Sequence, residues 1–257
     1  MNNTLVTVIT VCYNSSKTIR DTLNSILKQT YLNIEYIVID GQSQDKTTEI
    51  LKEFEPLFNK KKIDFWWISE ADEGIYHAMN KGLQKAKGNL IGILNSDDFY
   101  EPNAIKKIVD KNKNQTFTII SGKKNKVNIE KKVLKTFNNK KNIKKYIGKT
   151  MPINHPATFV HKTVYENVGF FDTQYKLSAD YDFIYRAYLN NVKFLFVDEV
   201  LVNMRNTGAT HQTKNMFITL KEDYHIRKKN NVFLSEFYFL KRLVFNFLVI
   251  LRNTILK

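Results

Sequence analysis

The sequence predicts one α/β domain built on a mostly parallel sheet, with a helical extension at its C-terminal end. Three observations carry that prediction. Short apolar runs alternate with segments of helical periodicity over the first hundred residues, which is the pattern of βαβ units. Each run ends in polar or acidic residues, as strands do where an open sheet presents its ligand-binding loops. The 257 residues are 43% hydrophobic and 13% aromatic, with few glycines and prolines, enough for one sizeable core but not for a second full domain.

Taken in order, residues 5–11 read as the first strand, and 17–29, with Ile19, Leu23, Ile26 and Leu27 at helical spacing, as the first helix. Residues 34–39 form the second strand and 46–58 the helix behind it. A third strand spans 63–69, where Trp66 and Trp67 pack in and around the sheet. Residues 74–86 form a helix with Ile75, Met79 and Leu83 on one face, and 90–94 the fourth strand. The strand ends carry Tyr13-Asn14, Asp40-Gly41, Glu70 to Gly74 and Asn95 to Asp98, so acidic and polar groups converge on one rim. A helix over 103–110 and a strand over 116–121 follow. Beyond them Val127, Ile129, Val133 and Thr136 alternate in a β-like way, compatible with an exposed hairpin or loop. Residues 193–197 read as a late strand and 213–229 as a helix. The boundaries expected are 1–212 for the main domain, in two halves that meet at about 100, and 213–257 for the extension.

Cys12 is the single cysteine, so neither a disulfide framework nor a cysteine-based zinc site forms within the chain, and a reducing compartment fits. The N-terminal stretch lacks a basic region and reads as a strand, not a signal peptide. The net charge of +15 is uneven: 106–149 holds 15 lysines against Asp110 and Glu130. A basic balance suits nucleic acid, an anionic membrane or an anionic ligand; lysines alternating with asparagines equally suit a solvated surface. Basic patches interleaved with aromatics are not evident, so nucleic acid is not an expected partner.

The segment 232–257 is nearly all apolar or aromatic, broken by Glu236, Lys241, Arg242 and Arg252. Its longest charge-free run, nine residues over 243–251, falls short of the ~20 needed to span a bilayer. On a helical wheel Ser235, Arg242, Asn246 and Asn253 share one stripe, leaving a broad apolar face with basic flanks. That pattern suits a helix lying in a membrane interface. A terminal helix packed on the domain or in a dimer is the alternative.

The chemistry centres on "LNSDDFY" at 94–100. Adjacent carboxylates repel unless a cation or hydrogen-bond donors compensate, and hard oxygen ligands suit Mg²⁺ or Mn²⁺ bridging to a diphosphate. Alternatively, "NSDD" caps the helix that follows Pro102. In "DGQSQDKT", Asp40 can accept from a base edge; a tight turn is the alternative. Neither G-x-G-x-x-G nor G-x-x-x-x-G-K-[ST] occurs, so a nucleotide bound here is gripped otherwise.

Six stretches in order complete the picture: "TVITVCYNSSKTIRDTLNSILKQTY", "EYIVIDGQSQDKT", "SEADEGIYHAMNKGLQKAKG", "LNSDDFY", "HPATFVHKTVYENVGFFDTQYKLSADYDFIYR" and, more weakly, "MRNTGAT". From about Leu5 to Thr210 the chain resembles the family 2 glycosyltransferases of GT-A fold, close to bacterial enzymes that build capsules, exopolysaccharides and lipopolysaccharides. The resemblance implies that Asp40 contacts the nucleotide base, usually uracil, that Asp97 lies near the ribose, and that Asp98 ends a DxD-like motif binding Mn²⁺ or Mg²⁺. It implies Asp180, in "SADYDF", as catalytic base. Tyr13, Asn14, Glu70, Asp72, Asn80, Lys81, His155 and Arg205 join the expected nucleotide-sugar site. Three departures concern the donor sugar: Ala179 stands where Glu is usual, His77 where Asp is more frequent, and Asn95 where an acid opens the motif.

Residues two apart on a helix point ~200° apart, so only one of Asp180 and Asp182 faces a cleft. Asp180 lies at the helix start, where the dipole keeps a carboxylate ionised, the form a general base requires. Asp182 takes a surface or supporting role. For the rest, structural roles compete: His155 beside Pro156 as a structural histidine, Glu70 and Asp72 as helix caps, Arg205 and His211 as surface groups rather than parts of a loop over the diphosphate.

The function implied is an inverting, metal-dependent transferase moving sugar from a nucleotide-diphospho-sugar, expected to be a UDP-sugar, to a hydroxyl of a glycan or lipid-linked acceptor. Its expected place is the inner face of the cell membrane, peripherally bound to anionic lipid. The alternatives are a basic nucleic-acid-binding protein, a non-catalytic scaffold of the same fold, and a metal-dependent phosphohydrolase.

Overall fold

The computed structural model describes residues 4–205 and 213–255, with side chains over 4–205 and 215–248. His211 and the "NTGAT" portion of the last motif lie outside the described residues.

Strand β1 (Val6–Cys12) is buried along its whole length, because valine, isoleucine and threonine suit a pleated surface covered on both faces. It pairs in parallel with β2 (Ile34–Asp40) on one side and β4 (Leu90–Ile93) on the other, while β3 (Asp64–Ser69) extends β2. The sheet continues through β8 (Thr158–His161), antiparallel to β4, to β6 (Thr118–Val127), β9 (Lys193–Arg205) and the short β5 (Phe99–Tyr100). The strand order is β3-β2-β1-β4-β8-β6-β9-β5, with β7 (Val133–Phe137) paired to β6 as a hairpin.

Successive residues of the central strands point to opposite faces, giving two cores. One joins Val8, Tyr36 and Val38 to Leu23 and Ile26 of α1 (Ile19–Leu27), Phe54 and Phe58 of α2 (Thr47–Lys61), and Ile105 and Ile108 of α4 (Ala104–Asn112). The other joins Ile9, Ile37 and Ile93 to Met79 and Leu83 of α3 (Ile75–Lys85), Val164 of α6 (Lys162–Val168), Phe183 and Ile184 of α7 (Ala179–Leu189), and Ile226 of α8 (Thr213–Lys229). Trp67 packs against the first core and Trp66 against the second. Helix α3 approaches β1 closely at Gly82, where a Cβ would lie 2.5 Å from Ile9 Cγ2.

Three points of comparison with the sequence reading bear on the site. Strands β6 and β9 run well past 121 and 197, because they pair in parallel with each other through polar residues, Lys123 to Lys126, that carry no apolar signal. The lysine-rich stretch is the hairpin rather than the loop of its two expected forms, and the short α5 (Ile143–Tyr146) and α6 are further helices without a clear periodic signature. Asp182 is fully buried and not a surface group; it pairs with Arg186 at 2.7 Å and Lys229 at 3.8 Å.

Helix α9 (Ser235–Ile255) packs on α8 with Ser235, Arg242 and Asn246 of its polar stripe turned inward. Ser235 and Asn246 are buried and Arg242 pairs with the buried Asp223. Phe237, Leu240, Val244, Phe245, Phe247 and Leu248 face outward, each between 54% and 63% exposed. No helix among the described residues is long and apolar enough to cross a membrane.

Candidate active site

The carboxyl ends of β1, β2 and β4 open on one side of the sheet, and a cleft of about 350 Å³ lies beside the last of them. Asn95, Asp97 and Asp98 line it from the β4–β5 loop, Lys124 from β6, Tyr76 from α3, His155 from the turn before β8, Asp180 from α7 and Arg205 from the end of β9. Of the residues singled out in the sequence, these are the ones the fold brings together: Asn95, Asp97, Asp98, His155, Asp180 and Arg205.

Asp98 is 1% exposed. Its Oδ1 accepts from the Arg205 main-chain N–H at 3.1 Å, while its Oδ2 has no hydrogen-bond partner. The buried Oδ1 of Asn95 is likewise unpartnered. Burial, reinforced by Asp97 next to it, pushes the Asp98 carboxyl well above the usual carboxylate range. Two orphaned oxygens on one loop form a donor set that a hard divalent cation fits, completed by substrate oxygens. Among the described residues no group of three or more His, Cys, Asp or Glu could hold an ion alone.

Arg205 is buried to 4% exposure beneath that loop. One guanidinium nitrogen donates to the Asp97 main-chain oxygen at 2.6 Å, another pairs with Asp21, and the group stacks 5.3 Å over Phe99. Its charge braces the acidic loop from below.

Asp180 is the second residue of α7. Its Oδ1 accepts from Tyr76 Oη at 3.2 Å and from the Tyr181 N–H at 2.9 Å. His155 stands edge-on to Phe171 at 6.0 Å, and burial lowers its pKa, leaving a neutral imidazole near pH 7.

The remaining expected residues lie outside this cleft, on the neighbouring rim. Asp40 is fully buried: Oδ1 accepts from Ser43 Oγ and Cys12 Sγ, Oδ2 from the Ser43 N–H and Ser69 Oγ. Asn14, in the left-handed region at φ 48°, accepts from the Gln44 N–H and donates its own N–H to Ser43 Oγ, joining the β1 and β2 loops. Tyr13 is 62% exposed. Asp72 accepts from the Gly74 N–H at the start of α3. Glu70 pairs with Lys81, which also donates to the Ala71 carbonyl. Asn80 makes two hydrogen bonds to the Phe171 main chain, tying α3 to the segment before α7.

The family model for glycosyl transferase family 2 matches residues 7–169. The chain belongs to glycosyl transferase family 2. An uncharacterised glycosyltransferase of Methanocaldococcus jannaschii is 27% identical over 273 residues, spanning 100% of this chain and 93% of that protein. Among solved structures, the Staphylococcus aureus TarS 1–349 complex with UDP-GlcNAc matches with TM-score 0.66 at 19% identity, over 86% of this chain and 66% of that one. The mannosyltransferase PcManGT from Pyrobaculum calidifontis, in complex with GDP-Man and Mn²⁺, matches with TM-score 0.68 at 17% identity, over 88% and 64%. This chain thus spans slightly under two thirds of those two solved chains, and the shared fold is GT-A.

Asp180 lies beyond the family match, so its part in this transferase rests on geometry and on the sequence motif. Two residues of the cleft escaped sequence reasoning. Tyr76 is one, hidden as an ordinary core aromatic of α3. Lys124 is the other, hidden in a lysine run. Its ammonium lies 3.6 Å from Met204 Sδ, and burial lowers its pKa while Asp98 and Asp180 pull it back up. The signal available was the β-like alternation, which, extended backwards from Val127, puts Lys124 inside the strand.

Proposed function

We propose that this transferase moves a sugar, with inversion, from a nucleoside-diphosphate donor, a UDP-sugar, to a hydroxyl of a glycan or lipid-linked acceptor in surface polysaccharide synthesis. The observation that carries the reading is the pairing, across one cleft, of the orphaned Asp98 and Asn95 oxygens with Asp180.

Asp180 takes the proton of the acceptor hydroxyl. Tyr76 and the Tyr181 N–H hold its Oδ1, orienting the carboxylate so that Oδ2 receives that proton. The hydroxyl oxygen then attacks the anomeric carbon as the bond to the nucleoside diphosphate breaks on the opposite face. Asp98 and Asn95 would hold Mn²⁺ or Mg²⁺, which when bound neutralises charge on the departing diphosphate. Lys124 brings its amino group to the same wall, where Asp98 and Asp180 favour its charged form against burial. Asp97 contacts the ribose, and the rim formed by Tyr13, Asn14, Asp40, Glu70, Asp72, Asn80 and Lys81 shapes the nucleotide pocket.

The outward apolar face of α9, with Lys228, Lys229 and Lys241 exposed nearby, supports attachment to an anionic membrane at its inner face. Attachment would bring the cleft to a lipid-linked acceptor.

The test is a screen of nucleotide-sugars with Mn²⁺, read by thermal shift and turnover, on wild type and Asp180→Asn. The variant is expected to bind donor normally and lose about 10²–10⁴-fold in transfer. Unaltered turnover would remove Asp180 from the mechanism. Release of free sugar at full rate without an acceptor would favour the phosphohydrolase reading.

A further inference from the structure

The turn that leads into the catalytic helix is held by a distant helix. Glu222, on α8, accepts three successive main-chain N–H groups: Lys176 at 2.7 Å on Oε1, then Leu177 and Ser178 at 2.9 Å each on Oε2. The next residue, Asp223, is buried and accepts from Ser178 Oγ at 2.8 Å while pairing with Arg242 of α9. Asp180 follows Ser178 by two residues.

The first N–H groups of a helix lack intrahelical partners and are ordinarily satisfied by the residue just before it. Ser178, which occupies that position for α7, makes no side-chain cap; its hydroxyl is turned to Asp223. The three N–H groups that Glu222 takes lie just ahead of that first turn, so its carboxylate anchors the approach to α7 at three points. The first turn of α7 cannot rotate without breaking contacts to α8. Asp182, one turn face away, is tied to α8 as well, through Lys229.

We infer that Glu222 and Asp223 are positioning residues for Asp180, which makes the C-terminal helix pair part of the catalytic unit. The inference rests on Asp180 acting as base. Neither residue lines the cleft; each acts by fixing the segment on which the base is mounted. A displacement of ~1 Å at such a distance can cost ~10²-fold in rate.

The experiment compares Glu222→Gln, Glu222→Ala and Asp223→Asn with Asp180→Asn in the full chain, measuring kcat, donor KM, donor-binding stoichiometry by calorimetry, and Tm. Expected is a fall in kcat of about tenfold for Glu222→Gln and about a hundredfold for Glu222→Ala, with donor KM within about twofold and stoichiometry near one. A purely structural role would instead lower Tm and stoichiometry together, with kcat per binding site unchanged, and that result overturns the inference. Wild-type kcat in Glu222→Ala beside an inactive Asp180→Asn also overturns it while leaving the base in place. Activity in Asp180→Asn overturns the base assignment itself, and positioning with it.

Discussion

Asp40 ends β2 and Asp98 lies in the loop after β4, the two strands that flank β1, and both are buried, yet their surroundings are opposite. Asp40 receives four hydrogen bonds from Cys12, Ser43 and Ser69, and its carboxylate organises the turn after β2. Asp98 receives one, from the Arg205 N–H, and keeps a buried oxygen without a partner. A buried acceptor left unmade costs stability, and the unpartnered Asp98 oxygen stands beside the cleft, where a group from outside the chain can complete it. Asp40 shapes the rim from within its own turn, whereas Asp98, beside the cleft, keeps an oxygen without a partner.

The largest effect expected from this contrast is on turnover. Asp98→Asn should reduce kcat by about 10²–10³-fold, as removal of a group that holds a charge-neutralising ion does, with Tm unchanged or raised. A fall in Tm like that of an Asp40 variant would erase the distinction. Asp40→Ala should, unlike Asp98→Asn, lose about 2–3 kcal/mol in urea unfolding, besides its effect on donor binding, because it strands Ser43, Ser69 and Cys12 donors at a buried site. Lys124→Met keeps the stem and removes the charge, and about a tenfold loss in kcat is expected with the fold intact, measured by turnover at saturating donor. The smallest effect concerns Asp45, on the satisfied side of the rim. Burial opposes its ionisation, but hydrogen bonds from Thr47 and Ser16 outweigh it and bring the carboxyl from 3.8 down to about 2. A depressed carboxylate contributes stability above its unfolded value and loses it as pH falls through the folded one. Denaturation followed between pH 4 and 2 should therefore be shallower in Asp45→Asn than in wild type.

Much of the parallel half was legible because its strands are continuous β-branched runs and its helices carry apolar residues three and four apart. The acceptor side was less so. Lys123 to Lys126 look like solvated surface, yet β9 pairs along them, and Lys124 becomes a cleft residue. Arg205 was expected near the diphosphate; the structure locks its guanidinium between Asp21 and the Asp97 carbonyl, a long-range pairing that no local pattern encodes. Asn80 and Lys81, grouped with the nucleotide site, have main-chain and ion-pair partners within the fold, which only the approach of Phe171 and Glu70 supplies.

The sequence by itself determined the family, through the resemblance of six stretches in order, and the sheet of alternating units, the acidic strand ends and the division of α9 into polar and apolar faces, which depend on spacing along single segments. Tertiary structure decided which face of α9 turns inward, which carboxylates are satisfied, and which residues meet across the cleft. Those outcomes depend on partners far away in the chain: Asp223 for Arg242, Ser69 for Asp40, Arg205 for the loop around Asp98. A periodic pattern states that a side chain has a polar or apolar environment; only packing supplies the group that stands there.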